Sequence, residues 1–179
     1  MKIEYSTVKK IVITDINNLD PISVYLEDFM IGKGKLTITC LNESWTYYWG
    51  AMGNNNLSQF IINCDNDYLC KKLNPSVPNN ICDENGFESH AKRHIVEKRK
   101  VDDISKEKAR MLYDQCCNLA EYKYMKSLSF EDYMYEIFGD EWYDCYPEKI
   151  NPKYEYFYRI LDVVKWALKN HTQSSDSQI

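Results

Sequence analysis

A chain of 179 residues with 44% hydrophobic and 27% charged side chains has the make-up of a folded globular protein. Its formal charge of −5 excludes a protein that coats phosphates over its whole surface, because such binding rests on massed Lys and Arg. The opening Met1-Lys2-Ile3-Glu4-Tyr5-Ser6 has no apolar stretch, and no apolar run nears the ~20 residues of a membrane span. The expectation is a cytoplasmic chain that does not contact membranes.

The first fifty residues read as a β meander of about four strands. Residues 8–16 alternate apolar Ile11 and Ile13 with polar neighbours, and Asn17-Asn18-Leu19-Asp20-Pro21 makes a turn. In residues 22–29, Ile22, Val24 and Leu26 share one face. Leu36, Ile38 and Cys40 share one face of the third strand, reached through the loop Gly32-Lys33-Gly34. A tight hairpin at Asn42-Glu43 leads into Trp45-Thr46-Tyr47-Tyr48-Trp49, with Trp45, Tyr47 and Trp49 on one side. Such rings either stack nucleotide bases or are covered by helices, and the ribonucleoprotein motifs that would favour bases are absent.

Helical spacing takes over at residue 57. Asn56 is placed to cap Leu57, Phe60, Ile61 and Cys64, and Asp65-Asn66-Asp67 is placed to split this region into two short helices. The turn-rich stretch 74–86 reads as a loop or linker. A helix is expected over 87–100, and another after Ser105 with the stripe Ala109, Leu112, Tyr113, Cys116, Ala120 and Tyr124. A third should start at Ser129 and stop at Gly139. The last should open at Asn151-Pro152 with Phe157, Ile160, Leu161, Val164 and Leu168 inward. The fold class is therefore α+β: an antiparallel meander packed against C-terminal helices. The expected division is sheet plus short helix over 1–73, linker 74–86, helical part 87–171 and a disordered tail 172–179.

The seven cysteines are an odd number scattered through strands and helices, which reads as free and mostly buried thiols. Cys82, His90 and His94 are the metal candidates, the two histidines lying four apart on one helix face. No Cys-x-x-Cys pair or His-Glu-x-x-His accompanies them, so neither a metal nor any other cofactor is expected. Nor is there a Gly-x-Ser-x-Gly elbow or a phosphate-cradling glycine loop, which leaves catalysis unsupported.

Two segments of opposite charge stand out. Lys92, Arg93, Lys98, Arg99 and Lys100 form a basic helix surface suited to nucleic acid, although Glu97, Asp102, Asp103 and Glu107 thin its field. Residues 129–148 then hold seven carboxylates and no Lys or Arg. Within it, Glu131, Asp132, Glu136, Asp140, Glu141, Trp142 and Asp144 are the candidate partner-binding residues, aromatic anchors ringed by charge that suit a basic groove. An amphipathic helix whose acidic face meets only water is the other reading.

Three stretches resemble small accessory proteins encoded by phages and prophages of enteric bacteria. They are Asp20-Pro21-Ile22-Ser23-Val24-Tyr25-Leu26-Glu27-Asp28-Phe29, Gly34-Lys35-Leu36-Thr37-Ile38-Thr39-Cys40 and Trp45-Thr46-Tyr47-Tyr48-Trp49-Gly50-Ala51-Met52-Gly53. Asn151-Pro152-Lys153-Tyr154-Glu155-Tyr156 extends the likeness, which covers about half of the chain and carries no catalytic residue. The resemblance implies a bacterial host and a non-catalytic inhibitor of host defence, anti-CRISPR proteins being one such class. Its partner would be a host protein or ribonucleoprotein complex, with nucleic acid as the alternative through the basic segment.

Overall fold

The computed structural model describes the chain except residues 1, 4, 6, 117–127 and 176–179, and it leaves undescribed the side chains of 128–130 and 171–175. Four strands form one antiparallel sheet in the order of the chain: β1 (Lys9–Ile13), β2 (Ile22–Met30), β3 (Lys33–Cys40) and β4 (Glu43–Trp49). Its register pairs Val24 with Ile38 and Ile38 with Trp45, so the apolar sides of β2, β3 and β4 coincide. The β3–β4 turn falls on Leu41-Asn42, one residue before the expected position, with Leu41 at a φ of 51°.

Two short helices follow, α1 (Leu57–Asn63) and α2 (Asn66–Leu73). Asn56 caps the first through a reciprocal pair with Gln59, and Asp65 caps the second. Gly34 lets α1 approach the sheet closely, since a Cβ there would lie 3.2 Å from that of Leu57. Further along come β5 (Asn80–Cys82), α3 (Phe87–Lys100), α4 (Lys106–Gln115), α5 (Leu128–Phe138), a 3-10 turn (Trp142–Asp144), β6 (Glu148–Ile150) and α6 (Pro152–Ser175).

These elements make two compact units. Residues 1–79 and 151–179 form one, and residues 80–150 form the other. The long last helix thus joins the sheet instead of the helices that precede it. Its stripe explains why: Phe157, Ile160, Leu161, Val164 and Leu168 are all buried in one cluster with Ile22, Val24, Leu36, Ile38 and Trp45. Phe157 lies 4.5 Å from Trp45, ring centre to ring centre. The aromatic strand is therefore core on its Trp45–Trp49 side, and Trp49 Nε1–H donates to Tyr68 Oη at 3.0 Å. Burying these rings supplies the apolar contact that the sheet needs on that face.

The second unit has its own core, where Phe87, Ala91 and Ile95 of α3 meet Ala109, Leu112 and Cys116 of the α4 region and Met134 and Ile137 of α5. Ser105 caps α4 as expected, accepting from Lys108 N at 3.1 Å. The stretch 74–86 is not all loop: β5 pairs antiparallel with β6, Asn80 facing Ile150 and Cys82 facing Glu148. Strands of three residues are too short to leave a periodic signature. Ser129 lies inside α5 and not ahead of it, and Ala120 and Tyr124 fall outside the described residues. Of the tail expected to be disordered, residues 172–175 continue α6, and 176–179 lie outside the described residues. The six described cysteines are all free thiols, with Cys40, Cys70 and Cys116 buried and Cys82 exposed. Among the described residues no helix is long and apolar enough to cross a membrane.

Asn151 stands where the chain re-enters the first unit. Its backbone N–H donates to the Asn79 carbonyl at 2.9 Å, and its buried side chain donates to the Pro78 carbonyl at 3.0 Å. The same side chain accepts from Lys153 N at 3.1 Å, capping α6. Asn151→Ala removes the cap and leaves the Pro78 carbonyl unsatisfied, so a loss of about 2–3 kcal/mol is expected in chemical denaturation followed by circular dichroism. A loss under about 0.5 kcal/mol would show that this junction is not held by the side chain.

Candidate interaction surface

Helix α5 turns Met134 and Ile137 into the second core, and that choice fixes where its acids point. Glu131, Asp132, Tyr135 and Glu136 are all exposed, and at 100° per residue they lie within an arc of about 140°. Gly139 ends the helix at a φ of 82°, a conformation that glycine adopts without strain, and its N–H donates to the Tyr135 carbonyl at 2.8 Å. The chain then bends into the 3-10 turn, closed by Cys145 N–H to the Trp142 carbonyl at 3.1 Å. Asp140, Glu141, Tyr143 and Asp144 are exposed along this bend.

The structure thus brings together the predicted acids Glu131, Asp132, Glu136, Asp140, Glu141 and Asp144 on the outside of one unit. Among the described residues, Glu136 pairs with Lys108 at 3.8 Å, and the other five make no ion pair. Trp142 has a different position from that expected of a contact anchor. It is half-buried against the second core, with Tyr146 6.4 Å and Tyr143 6.3 Å away between ring centres. The rings that reach solvent are Tyr135, 55% exposed, and Tyr143, 61% exposed. Tyr133 faces inward, its hydroxyl donating to the Leu112 carbonyl. The Phe130 side chain lies outside the described residues.

The basic segment looks different in three dimensions. Lys92 pairs with Glu88 at 2.6 Å, Lys98 with Asp103 at 3.7 Å, and Arg99 with Asp102. Local acids therefore neutralise three of the five predicted cations, while among the described residues Arg93 and Lys100 make no ion pair. These two border an open groove between α3 and α4. One part, about 520 Å³, is lined by Val96, Lys100, Arg110 and Tyr113 among others, and an adjoining part of about 420 Å³ adds Lys92 and Arg93. Lys92 Nζ sits 5.0 Å from the Tyr113 ring centre. Arg110 and Tyr113 belong to this surface only because α4 packs beside α3, which spacing within either helix does not reveal.

The metal candidates are not assembled into a site. His90 and His94 lay their rings against Phe138, at 5.6 and 4.9 Å, and Cys82 is on β5. Among the described residues no group of three or more His, Cys, Asp or Glu is placed to hold a metal ion. Elsewhere, burial pushes the Cys70 thiol up to about 11, so at neutral pH it stays protonated. Burial and the hydrogen bond to Asp67 raise Tyr154 as well. Tyr156 is pushed up to about 12, first by its hydrogen bond with Cys40 and then by burial. These neutral groups tie α6 to α2 and β3, and none is an activated nucleophile.

Two ionisable groups make the second unit sensitive to acid. Burial against α5 lowers His94 below its ordinary 6.5, and the Lys149 ammonium, bonded to Asp83 at 3.1 Å, lowers that carboxyl below its ordinary 3.8. For His94 the unfolded chain takes up a proton first, so stability falls as pH drops through 6.5 and levels off below the folded value. For Asp83 the contribution is present above 3.8 and is lost as pH falls through the lower folded value. Acidification should therefore destabilise residues 80–150 in an upper window that opens at 6.5 and a lower one that opens at 3.8, read by hydrogen exchange across pH. His94→Gln should abolish the upper window and leave the lower one in place.

Comparison with known proteins adds one finding. No curated protein and no solved structure matches the chain. A family model described as a phage family, Phage_phiTE_072, matches residues 1–170, and the chain belongs to that phage family.

Proposed function

We propose that this phage protein is a non-catalytic inhibitor that binds and blocks a host macromolecule through the acidic, tyrosine-bearing face of residues 131–144. The partner is a host defence nuclease or CRISPR complex, met in the host cytoplasm. The observation that carries this reading is the row Glu131, Asp132, Asp140, Glu141 and Asp144, exposed and without ion pairs among the described residues, with Tyr135 and Tyr143 standing in it. A nuclease or guide-RNA complex must keep a basic groove for its own phosphates. A run of carboxylates offers that groove the charge it is built to accept. Exposed tyrosines add contact area at low entropic cost, since each has few rotatable bonds to fix.

The surrounding charge fits this role. Residues 80–150 contain 16 acidic and 11 basic side chains, so the whole net charge of −5 lies in the second unit. Such a field steers a basic partner and speeds encounter at low salt.

Capture of a partner from bacterial lysate by the immobilised chain tests the proposal. Reversing Asp140, Glu141 and Asp144 to Lys, none of which holds an ion pair among the described residues, should abolish capture. Tyr143→Ala should weaken it by about tenfold or more. The absence of any stoichiometric partner, or equal capture by the charge-reversed chain, would overturn the reading.

A second reading draws on the α3–α4 groove, whose adjoining parts are lined by Arg93, Lys100 and Arg110 together with Tyr113. These three cations suit a short single-stranded nucleic acid stacked on that tyrosine. With three phosphates neutralised, log K should fall against log salt with a slope of about −2, and R93E/K100E should remove binding. No mobility shift at low salt would dismiss this alternative.

A further inference from the structure

One side chain of the first unit has no packing reason for its position. Helix α6 buries Phe157, Ile160, Leu161, Val164 and Leu168, and at 100° per residue Trp166 falls on the opposite pole. It is 66% exposed, where an amphipathic helix calls for a polar residue.

Trp166 borders an open cleft of about 640 Å³ formed with the β1–β2 connection. Ile13, Ile16 and Val163 give the cleft its apolar lining, and Asp15 and Asp162 bring two exposed carboxylates. Among the described residues no Lys or Arg lines it. Asp162 is held in place by the buried Asn66, whose amide donates to it at 2.6 Å. Asp15 and Asn18 both take positive φ, at 59° and 57°, so the connection is bent tightly at two non-glycine positions. The outer edge of this connection already accepts a guanidinium: Arg159 Nη2 donates to the Asn17 carbonyl at 3.3 Å.

The chemistry of the cleft selects its occupant. An anion would meet two carboxylates, and a purely apolar group would strip them of water without replacing it. A planar cation satisfies both the ring and the acids. Guanidinium does this better than ammonium, because it stacks on an indole and is more weakly hydrated.

We propose that the Trp166 cleft is a docking site for an arginine side chain of a partner protein, stacked on the indole and paired with Asp15 and Asp162. The site lies wholly in the sheet-bearing unit and uses no residue of the acidic face, so it stands or falls separately from the function proposed above.

The test follows the indole N–H signals of the ¹⁵N-labelled full chain, which contains four tryptophans. Capped arginine is titrated against capped citrulline, its neutral counterpart. One indole signal, absent in Trp166→Phe, should move saturably with arginine and stay still with citrulline. In Asp15→Asn the apparent affinity should drop by about threefold or more, the scale of an exposed ion pair. Unchanged positions of the other three indole signals in each variant establish that the fold is kept. The proposal is overturned if the Trp166 signal is unmoved at about 50 mM arginine, well into the weak-binding range. It is equally overturned if citrulline moves that signal as much, or if Asp15→Asn binds as well as the parent chain.

Discussion

Asn151 joins three structural demands in one buried residue. The chain leaves the sheet unit after Asn79 and comes back at Asn151, some seventy residues later, and the two backbones meet through a 2.9 Å hydrogen bond. The side chain donates to the Pro78 carbonyl on one side and accepts from the Lys153 N–H of α6 on the other. That junction sets where α6 starts, and the buried stripe sets its register over Trp45 and the sheet. Closing a loop of this length carries an entropic cost that rises only slowly with length, so a few well-placed bonds suffice to hold its ends together.

Charge is divided as sharply as packing. Residues 1–79 and 151–179 hold 11 acidic and 11 basic side chains, which leaves the sheet unit neutral and the other unit with the entire negative balance. Inside the acidic unit the two signs are managed differently. The cations of α3 are largely quenched by acids one turn away, whereas the carboxylates of α5 and the 3-10 turn have Lys108 as their sole ion-pair partner among the described residues. An uncompensated charge persists where nothing local neutralises it, and there it acts at longer range.

Much of the secondary structure was legible residue by residue. The caps at Asn56 and Ser105 are local hydrogen bonds, made with backbone N–H groups three residues ahead, so local pattern suffices to find them. The acids of the candidate surface were legible too, since a helix burying Met134 and Ile137 leaves Glu131, Asp132 and Glu136 outward. The half-burial of Trp142 beside an exposed Tyr143 was not. After Gly139 the helical period is lost, and which of two neighbouring rings turns inward depends on how the 3-10 turn meets Phe87 and Tyr146. Nor was the β5–β6 pair legible, its partners being 66 to 70 residues apart in a ladder of three residues each.

The sequence by itself determined the four strands of the meander and most of the helices, which sides of them are apolar, and that acid and base are gathered into separate stretches. These properties depend on neighbours a few residues apart, which every local pattern records. Only the tertiary structure decided that α6 belongs to the sheet, that Arg110 and Tyr113 share a groove with Arg93, and that Trp166 stands beside Asp15. Each of those outcomes joins residues distant in the chain through packing, and packing is set by the shapes of two surfaces together, not by the periodicity of either one.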